Sequence, residues 1–207
     1  SPHSQPFCAI LFQFAPHATP AAPTPRPRHR SQPPSSCNSH CVMCNIWQRE
    51  KEFEFTPEQL ETVLKNKLFE HVEHVGVTGG EPSLRDDLPE IFSAIIKSLP
   101  RLQSVSMITN GIEHEKIFVQ IKEISQLCAK NNIYFNVMLS LDGVNDIHDV
   151  NRGVKNNFNA VMTLYKALSC VDNINLLIGC TITKINVWEV DSLLDFLKEN
   201  NIYGRFR

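Results

Sequence analysis

The chain has 207 residues, enough for one domain with a sizeable core, and its charge is nearly balanced, with 20 basic and 22 acidic side chains and a formal net charge of −2. This balance does not indicate a nucleic acid as partner, and no apolar run approaches the ~20 residues of a membrane-spanning helix. Seven cysteines are too few for a disulfide scaffold, and three of them lie close together, which indicates metal binding in a reducing compartment. A cytoplasmic protein without membrane contact is therefore predicted.

Residues 1–36 differ in composition from the rest of the chain. They contain nine of the 13 prolines, no acidic residue and no glycine. Proline at this density prevents helix formation, because proline lacks the backbone N–H and restricts φ. Residues 1–36 are therefore predicted to be a disordered leader, and residues 37–207 to form the folded domain.

From residue 56 onward the predicted helices and strands alternate. The sequence TPEQ at residues 56–59 matches a capping box with proline at the first helical position, and Asp87 and Asn186 open two further helices in the same manner. The predicted helices span about residues 57–70, 88–99, 113–130, 158–169 and 187–200. The predicted strands span about residues 72–78, 105–109, 134–141, 174–183 and 202–206.

Strands that alternate with helices indicate repeated right-handed βαβ units and a parallel sheet. The strands are apolar without clean alternation, which is expected when helices cover one face and the interior of a barrel is filled on the other. Three strands end in polar, glycine-containing turns, TGGE at residues 78–81, TNG at 109–111 and SLDG at 140–143. Because ligands bind at the carboxyl edge of such strands, these turns are predicted to line one site.

Cys37, Cys41 and Cys44 lie within eight residues of one another. Thiolates are soft ligands that suit zinc or iron–sulfur clusters, and three thiolates on one loop can hold three irons of a [4Fe-4S] cluster and leave the fourth open. A structural zinc ion needs a fourth ligand, for which His40 is a candidate. A chance group of buried cysteines is the third interpretation. The spacing favours the iron–sulfur cluster.

The Cys-x3-Cys-x2-Cys motif, followed by GGEP at residues 79–82, resembles the signature of the radical S-adenosylmethionine (SAM) superfamily. TNG, SLDG and the sequence HDVNRG at residues 148–153 are similar to later motifs of that family, in the same order. The residues of these motifs are most similar to those of the branch that contains the molybdenum-cofactor, pyrroloquinoline-quinone and SPASM-type peptide-maturing enzymes. The similarity covers residues 37–207.

The resemblance implies an α/β fold, a partial (β/α)6 TIM-like barrel that is truncated at both ends. Family members have an apolar strand before the first cysteine, whereas residues 30–36 contain two prolines and no aliphatic side chain. The chain also ends within the predicted sixth strand. The first strand of the barrel is therefore expected to be missing or replaced by a poor substitute.

The resemblance also implies an enzyme that binds a [4Fe-4S] cluster and SAM. Reductive cleavage of SAM would give a 5′-deoxyadenosyl radical that abstracts hydrogen from a small-molecule or peptide substrate, with an electron donor such as flavodoxin or ferredoxin as a partner. The cluster ligands would be Cys37, Cys41 and Cys44. The residues assigned to SAM in this way are Met43 beside the adenine, Gly79, Gly80, Glu81 and Pro82 near the methionyl amino group, Ser140 and Asp142 near the ribose or carboxylate, and Asn110 and Arg152.

Each assignment has a structural alternative. The Gly79–Gly80 pair could be only a tight turn and Glu81 a solvated side chain, while Arg152 is equally compatible with a surface cation and with a contact to SAM or substrate. His71, His74, His114 and His148 are predicted to be surface or strand-end residues, and Cys128, Cys170 and Cys180 to be buried packing residues. The alternative function is a non-catalytic zinc-binding remnant or pseudo-enzyme.

Overall fold

Parallel strands alternate with helices throughout the computed structural model, which describes residues 37–48 and 54–207. The helices of this part are α1 (Pro57–Leu64), α2 (Leu88–Ser98), α3 (His114–Lys130), α4 (Asp146–Arg152), α5 (Asn157–Leu168) and α6 (Val190–Glu199). The strands are β1 (His74–Val77), β2 (Ser104–Thr109), β3 (Tyr134–Ser140), β4 (Ile174–Cys180) and β5 (Gly204–Phe206). The predictions of a leader over residues 1–36 and of a missing first strand fall outside the described residues.

The five strands form one sheet in the order β1-β2-β3-β4-β5, and every neighbouring pair is parallel. Each strand therefore lies beside the next strand in the sequence, which is the arrangement of a singly wound barrel rather than of a doubly wound sheet. The prediction of an α/β fold with a parallel, TIM-like sheet is confirmed. Within the described residues, no helix is both long and apolar enough to cross a membrane.

Only one of the three predicted helix caps forms as expected. Thr56 Oγ1 accepts from Gln59 N at 3.3 Å while Gln59 Oε1 accepts from Thr56 N at 3.0 Å, so the capping box is present. Asp87 precedes α2 but makes no cap hydrogen bond, because Arg85 holds its carboxylate at 2.7 and 2.9 Å. Asn186 makes no cap either, and α6 begins only at Val190, after a 3-10 turn.

The two faces of the sheet differ, contrary to the expectation of strands without alternation. Along β2 and β3, Val105, Met107, Phe135, Val137 and Leu139 are fully buried under the helices. The residues between them are only half-buried and include serine and asparagine side chains. The alternation arises because the second face borders a cavity instead of a packed core.

The helix-covered face carries the hydrophobic core. Phe92 of α2 meets Phe135 of β3 edge to face, with ring centroids 5.6 Å apart. The amphipathic faces of α3 and α5 add fully buried aliphatic side chains, among them Ile121 and Leu164. This layer fixes the positions at which the strands end and therefore the position of the site.

One helix was not predicted. Residues 146–152, for which the sequence analysis predicted no helix, form α4, which ends at Gly153 in the left-handed conformation with φ +64°. A glycine in this conformation is a common helix terminator, because it adopts positive φ without steric cost. The helix places residues 148–153 directly against the cysteine loop.

Candidate functional site

The cysteine loop, residues 37–44, lies over the carboxyl ends of the strands. Cys37 and Cys41 are buried, Cys44 is half-buried, and all three line one cavity of about 200 Å³. Burial raises the pKa of the Cys37 thiol, against the effect of a backbone hydrogen bond from Ser39. A bound metal would be needed to stabilise the thiolate form at this position.

The remaining wall of the cavity comes from strand ends, as the predicted edge requires. Of the residues assigned to SAM, Gly79, Gly80, Glu81, Asn110, Ser140 and Arg152 line this cavity together with the cysteines. Thr78 of the TGGE turn lines it as predicted, but sequence reasoning missed Ile108, Met138, Gly179, Thr181 and Arg207. Their signal was the period of two along a strand: Met138 precedes Ser140 by two residues, and Gly179 precedes Thr181 in the same way.

Three of the assigned residues lie away from the cavity surface. Met43 is 37% exposed on the outside of the loop, and Pro82 is buried at the start of a 3-10 turn. Asp142 is 1% exposed and its carboxylate faces protein groups on every side that the structure describes. Its Oδ1 accepts from Thr181 N at 2.8 Å, and its Oδ2 accepts from Asn151 Nδ2 at 2.9 Å.

Glu81 forms the first of two polar networks at the rim. Its Oε1 accepts from Ser83 N, Ser83 Oγ and Thr109 Oγ1, and its Oε2 accepts from Asn110 N, at 2.7 to 3.2 Å. Burial raises the pKa of Glu81, while these four donors act in the opposite direction. The side chain is therefore a brace between the turn after β1 and the end of β2, and not a solvated residue. We call Glu81, Ser83, Thr109 and Asn110 the Glu81 network.

Asn110 connects the Glu81 network to the first cysteine. Its Nδ2 donates to Asn38 Oδ1 at 2.8 Å and lies 3.9 Å from Cys37 Sγ. Its Oδ1 accepts from Ile112 N at 3.0 Å, which fixes the orientation of the amide. The asparagine of TNG is therefore more than a turn residue, because it holds the start of the cysteine loop.

The second network surrounds Asp142 and includes Asn151, Arg152 and Thr181; we call it the Asp142 network. Arg152 Nε lies 2.6 Å from Asp142 Oδ2, an ion-pair contact without good hydrogen-bond alignment. The Arg152 side chain is only 12% exposed and that of Asp142 is not exposed. Arg152 is thus a paired, mostly buried cation, which corrects the alternative of a surface residue.

The cysteine loop rests on the end of α4 through backbone contacts. His40 N donates to the carbonyl of Arg152 and Val42 N donates to that of Asn151, both at 3.0 Å. A Cβ on Gly153 would lie 2.5 Å from the His40 carbonyl oxygen, so only glycine permits this approach. The Asp142 network therefore holds the middle of the loop, as Asn110 holds its start.

His148 joins the two networks and is not the surface or strand-end residue that was predicted. It is fully buried, and burial, with the Arg152 cation adding to it, lowers the pKa of His148 to about 4. Its Nδ1 accepts from Asp142 N at 3.0 Å, so its Nε2 carries the proton and donates to Asn157 Oδ1 at 3.0 Å. Asn157 Nδ2 then donates to the carbonyl of Asn110 at 3.1 Å.

The other histidines and cysteines to which no role was assigned differ in burial. His71 is exposed beside Glu70, and His74 shares a hydrogen bond with Ser104 Oγ at the start of the sheet. Cys128 and Cys180 are buried as expected, whereas Cys170 is exposed after the end of α5 and is not a packing residue.

The two metal hypotheses require different donor sets. Among the described residues, no three His, Cys, Asp or Glu side chains converge on the position of a single metal ion. His40 is exposed and packs against Trp47, with ring centroids 4.8 Å apart. Three soft thiols at one cavity fit an iron–sulfur cluster with an open corner, whereas His40, the candidate fourth ligand of a zinc ion, does not line that cavity.

Comparisons with known proteins agree with this geometry. The family model described as "Radical SAM superfamily" matches residues 32–197. The chain is 28% identical over 176 residues to a probable GTP 3′,8-cyclase of Archaeoglobus fulgidus, covering 80% of this chain and 52% of that protein. It is 29% identical over 174 residues to an Fe-coproporphyrin III synthase of Methanosarcina barkeri, covering 80% and 39%.

A maturation protein and a solved structure are also among the similar proteins. The sporulation killing factor maturation protein SkfB of Bacillus subtilis is 26% identical over 162 residues, covering 78% of this chain and 37% of SkfB. The crystal structure of Streptococcus suis SuiB bound to S-adenosylmethionine matches the fold with a TM-score of 0.62 at 24% identity, covering 84% of this chain and 38% of SuiB. The chain spans about half, or less, of the length of the curated relatives it matches.

Proposed function

We propose, because the chain belongs to the radical SAM superfamily, that residues 37–207 form the core domain of an enzyme that generates a radical from SAM and uses it on a substrate. Members of this superfamily use a [4Fe-4S] cluster and SAM. The observation that carries the proposal is the meeting of the cysteine loop and the glycine turn after β1 at one cavity.

In this proposal Cys37, Cys41 and Cys44 are the three protein ligands of the cluster. Their thiols border the cavity, and both oxygens of Glu81, a carboxylate that lines the same cavity, already accept hydrogen bonds from protein donors. An iron without a protein ligand remains available to SAM. When bound, the cluster supplies the electron that cleaves SAM to methionine and the 5′-deoxyadenosyl radical.

The strand ends are proposed to bind SAM. Gly79 and Gly80 expose backbone where a side chain would occupy space, and Gly79 adopts φ +145°, which favours glycine. Ser140 offers a hydroxyl at the end of β3, and Ile108 and Met138 supply an apolar wall that limits access of water to the reacting groups. Asn110 and Arg152 also face this space.

Glu81 and Asp142 have a supporting role in this proposal, because their carboxylate oxygens are already occupied by protein donors. Pro82 begins the turn that positions Glu81, and Met43 is proposed to approach the adenine from the outer side of the loop. Glu81, Asp142 and Pro82 thus orient the binding groups rather than contact the ligand.

The substrate is proposed to be a small molecule or a peptide. The names of the relatives include both a cyclase of GTP and the maturation protein of a killing factor, and SuiB has been crystallised with its precursor peptide SuiA. An electron donor of the flavodoxin or ferredoxin type is the proposed partner.

The first experiment tests the cluster. The full chain is reconstituted anaerobically with iron and sulfide, and about four irons and four sulfides per chain are expected. A colourless protein that retains one zinc would contradict the proposal and support the zinc-binding alternative.

The second experiment tests the SAM site in the reconstituted protein. Reduction by dithionite in the presence of SAM is expected to release 5′-deoxyadenosine, and Gly80→Val is expected to abolish SAM binding without loss of iron, because a β-branched side chain would fill the cavity. SAM affinity equal to that of the wild type in Gly80→Val would remove this turn from the site.

A further inference from the structure

The guanidinium of Arg152 lies between a carboxylate and a cysteine sulfur. Its Nε is 2.6 Å from Asp142 Oδ2, and its Nη1 is 3.8 Å from Cys41 Sγ. With 12% of the side chain exposed, little solvent screens either contact. Burial opposes the charge on Arg152, but Asp142 and a Cys41 thiolate together raise the pKa of Arg152, so the cation persists at every pH of interest.

A second polar group contacts the same sulfur but cannot serve as its permanent donor. Ser39 Oγ lies 2.9 Å from Cys41 Sγ and 3.0 Å from the carbonyl of Arg152. A hydroxyl has one proton, and the carbonyl is purely an acceptor, so this proton is shared between two competing acceptors once Cys41 is a thiolate. The guanidinium can donate to several acceptors at once, because it has five N–H groups, and it accepts no hydrogen bonds.

We propose that Arg152 is a positioning residue for the iron–sulfur cluster. Its guanidinium donates a charged hydrogen bond to the sulfur of Cys41 and thereby raises the reduction potential of the cluster. The inference rests on the proposed function, since it requires that a cluster binds to the cysteine loop. Reduction adds one negative charge to the cluster, and a cation at the sulfur stabilises the reduced state more than the oxidised state.

The geometry explains why arginine suits this position. A planar guanidinium can face Asp142 with one edge and Cys41 with another, whereas an ammonium is a point charge on a flexible stem. Asp142 pairs with the guanidinium, and the backbone carbonyl of Arg152 accepts a hydrogen bond from His40 N. One residue thus holds the loop through its backbone and polarises a ligand through its side chain.

The test compares the midpoint potential of the reconstituted full chain, titrated anaerobically and followed by the EPR signal of the reduced cluster without SAM. Arg152→Gln is expected to shift the potential to more negative values, and Arg152→Lys to shift it less, because lysine keeps the charge but not the fork. Arg85→Gln is the matched control. Arg85 is 21% exposed and pairs with Asp87 at 2.7 Å, but its other contacts are to Glu54 and Phe55 rather than to the cysteine loop. The midpoint potential of the cluster in Arg85→Gln is expected to equal that in the wild type.

A measurement on the unaltered sequence covers the case in which Arg152→Gln fails to fold. The chain is produced with ¹⁵N in arginine alone, and pulsed EPR of the reduced cluster is expected to show a ¹⁵N coupling that disappears in Arg152→Lys. Absence of this coupling in the wild type, or a wild-type potential in Arg152→Gln with full iron content, would overturn the inference while the proposed function stands. A wild-type chain that binds no cluster would overturn both.

Discussion

Glu81 and Asp142 are both buried carboxylates at strand ends, and each supports one part of the cysteine loop, yet their partners differ in charge. Glu81, at 5% exposure, is held by hydroxyl and backbone donors that are all neutral. Asp142, at 1% exposure, is paired with the Arg152 cation. A charged partner stabilises a buried carboxylate more strongly than neutral donors do.

The difference assigns distinct tasks to the two networks. The Glu81 network joins neighbouring strand ends and reaches Cys37 through the neutral amide of Asn110. The Asp142 network reaches Cys41 directly through a charged group and supports the loop by backbone hydrogen bonds. We therefore expect damage to the Asp142 network to disturb the loop more strongly than damage to the Glu81 network.

The largest expected effect comes from removing the cysteine thiols of the loop that both networks support. Cys37→Ala, Cys41→Ala and Cys44→Ala are each expected to abolish retention of the cluster, because three thiolates are the smallest set of protein ligands that the site offers. Iron and sulfide content after anaerobic reconstitution is the measurement. Cys128→Ala and Cys180→Ala are the controls and should retain iron. Full iron content in any of the first three variants would refute their assignment as ligands.

Asp142→Ala is expected to be the most damaging change within the two networks. It leaves the mostly buried Arg152 cation without its carboxylate and Thr181 N without its acceptor, a loss of about 3–5 kcal/mol of unfolding free energy for a broken buried pair. Urea unfolding of the cluster-free protein measures this loss. Asp86→Ala removes an ion pair between Lys116 and an almost fully exposed carboxylate and should leave the unfolding midpoint unchanged. Equal effects of the two substitutions would contradict a structural role for the buried Asp142–Arg152 pair.

Gly153→Ala tests the backbone contact between α4 and the loop. Alanine at φ +64° costs about 1–2 kcal/mol, and its Cβ would collide with the His40 carbonyl, so the loop must move. We expect faster loss of iron to a chelator than in the wild type. Asn173→Ala places alanine at a nearly identical φ of +63°, in the segment between α5 and β4, and should release iron at the wild-type rate. Matching release rates in the two variants would mean that the contact does not retain the cluster.

Glu81→Gln should give the smallest effect, which appears as a change in pH dependence. The folded protein holds the Glu81 proton more tightly than the unfolded chain does, because burial raises the pKa of Glu81 above 4.5. The stability contributed by this group is therefore present at low pH and is lost as pH rises through the raised pKa. Relative to Glu81→Gln, the wild-type free energy of unfolding should fall over this range in urea titrations. Parallel pH profiles of the two proteins would show that burial does not raise the pKa of Glu81.

Several features of the fold and the site followed from local sequence. The capping box at residues 56–59 depends only on side chains three positions apart, and it formed as predicted. The five strands were placed within a few residues, because apolar runs between polar turns are a local signal. The common edge of Gly79, Asn110 and Ser140 followed as well, since parallel strands present their carboxyl ends on one side.

The tertiary structure decided the partners of each polar side chain. Asn186 matches a helix cap in the sequence, but its Nδ2 donates to the carbonyl of Asp142 at 2.7 Å, 44 residues away, and no cap forms. His148 lies among polar residues in the sequence, which predicts a surface position, but the packing of α4 against α5 buries it. Local propensity loses in both cases because a buried polar group must find a partner wherever the fold provides one.

The chemistry of the loop was therefore determined by sequence, and its support by the fold. Thiolate softness and the spacing of Cys37, Cys41 and Cys44 are properties of eight consecutive residues, and they indicate a metal cluster without any knowledge of the structure. The contact between Arg152 and Cys41 joins residues 111 positions apart. No pattern within either segment specifies that distance, because it depends on the sheet that brings α4 beneath the loop.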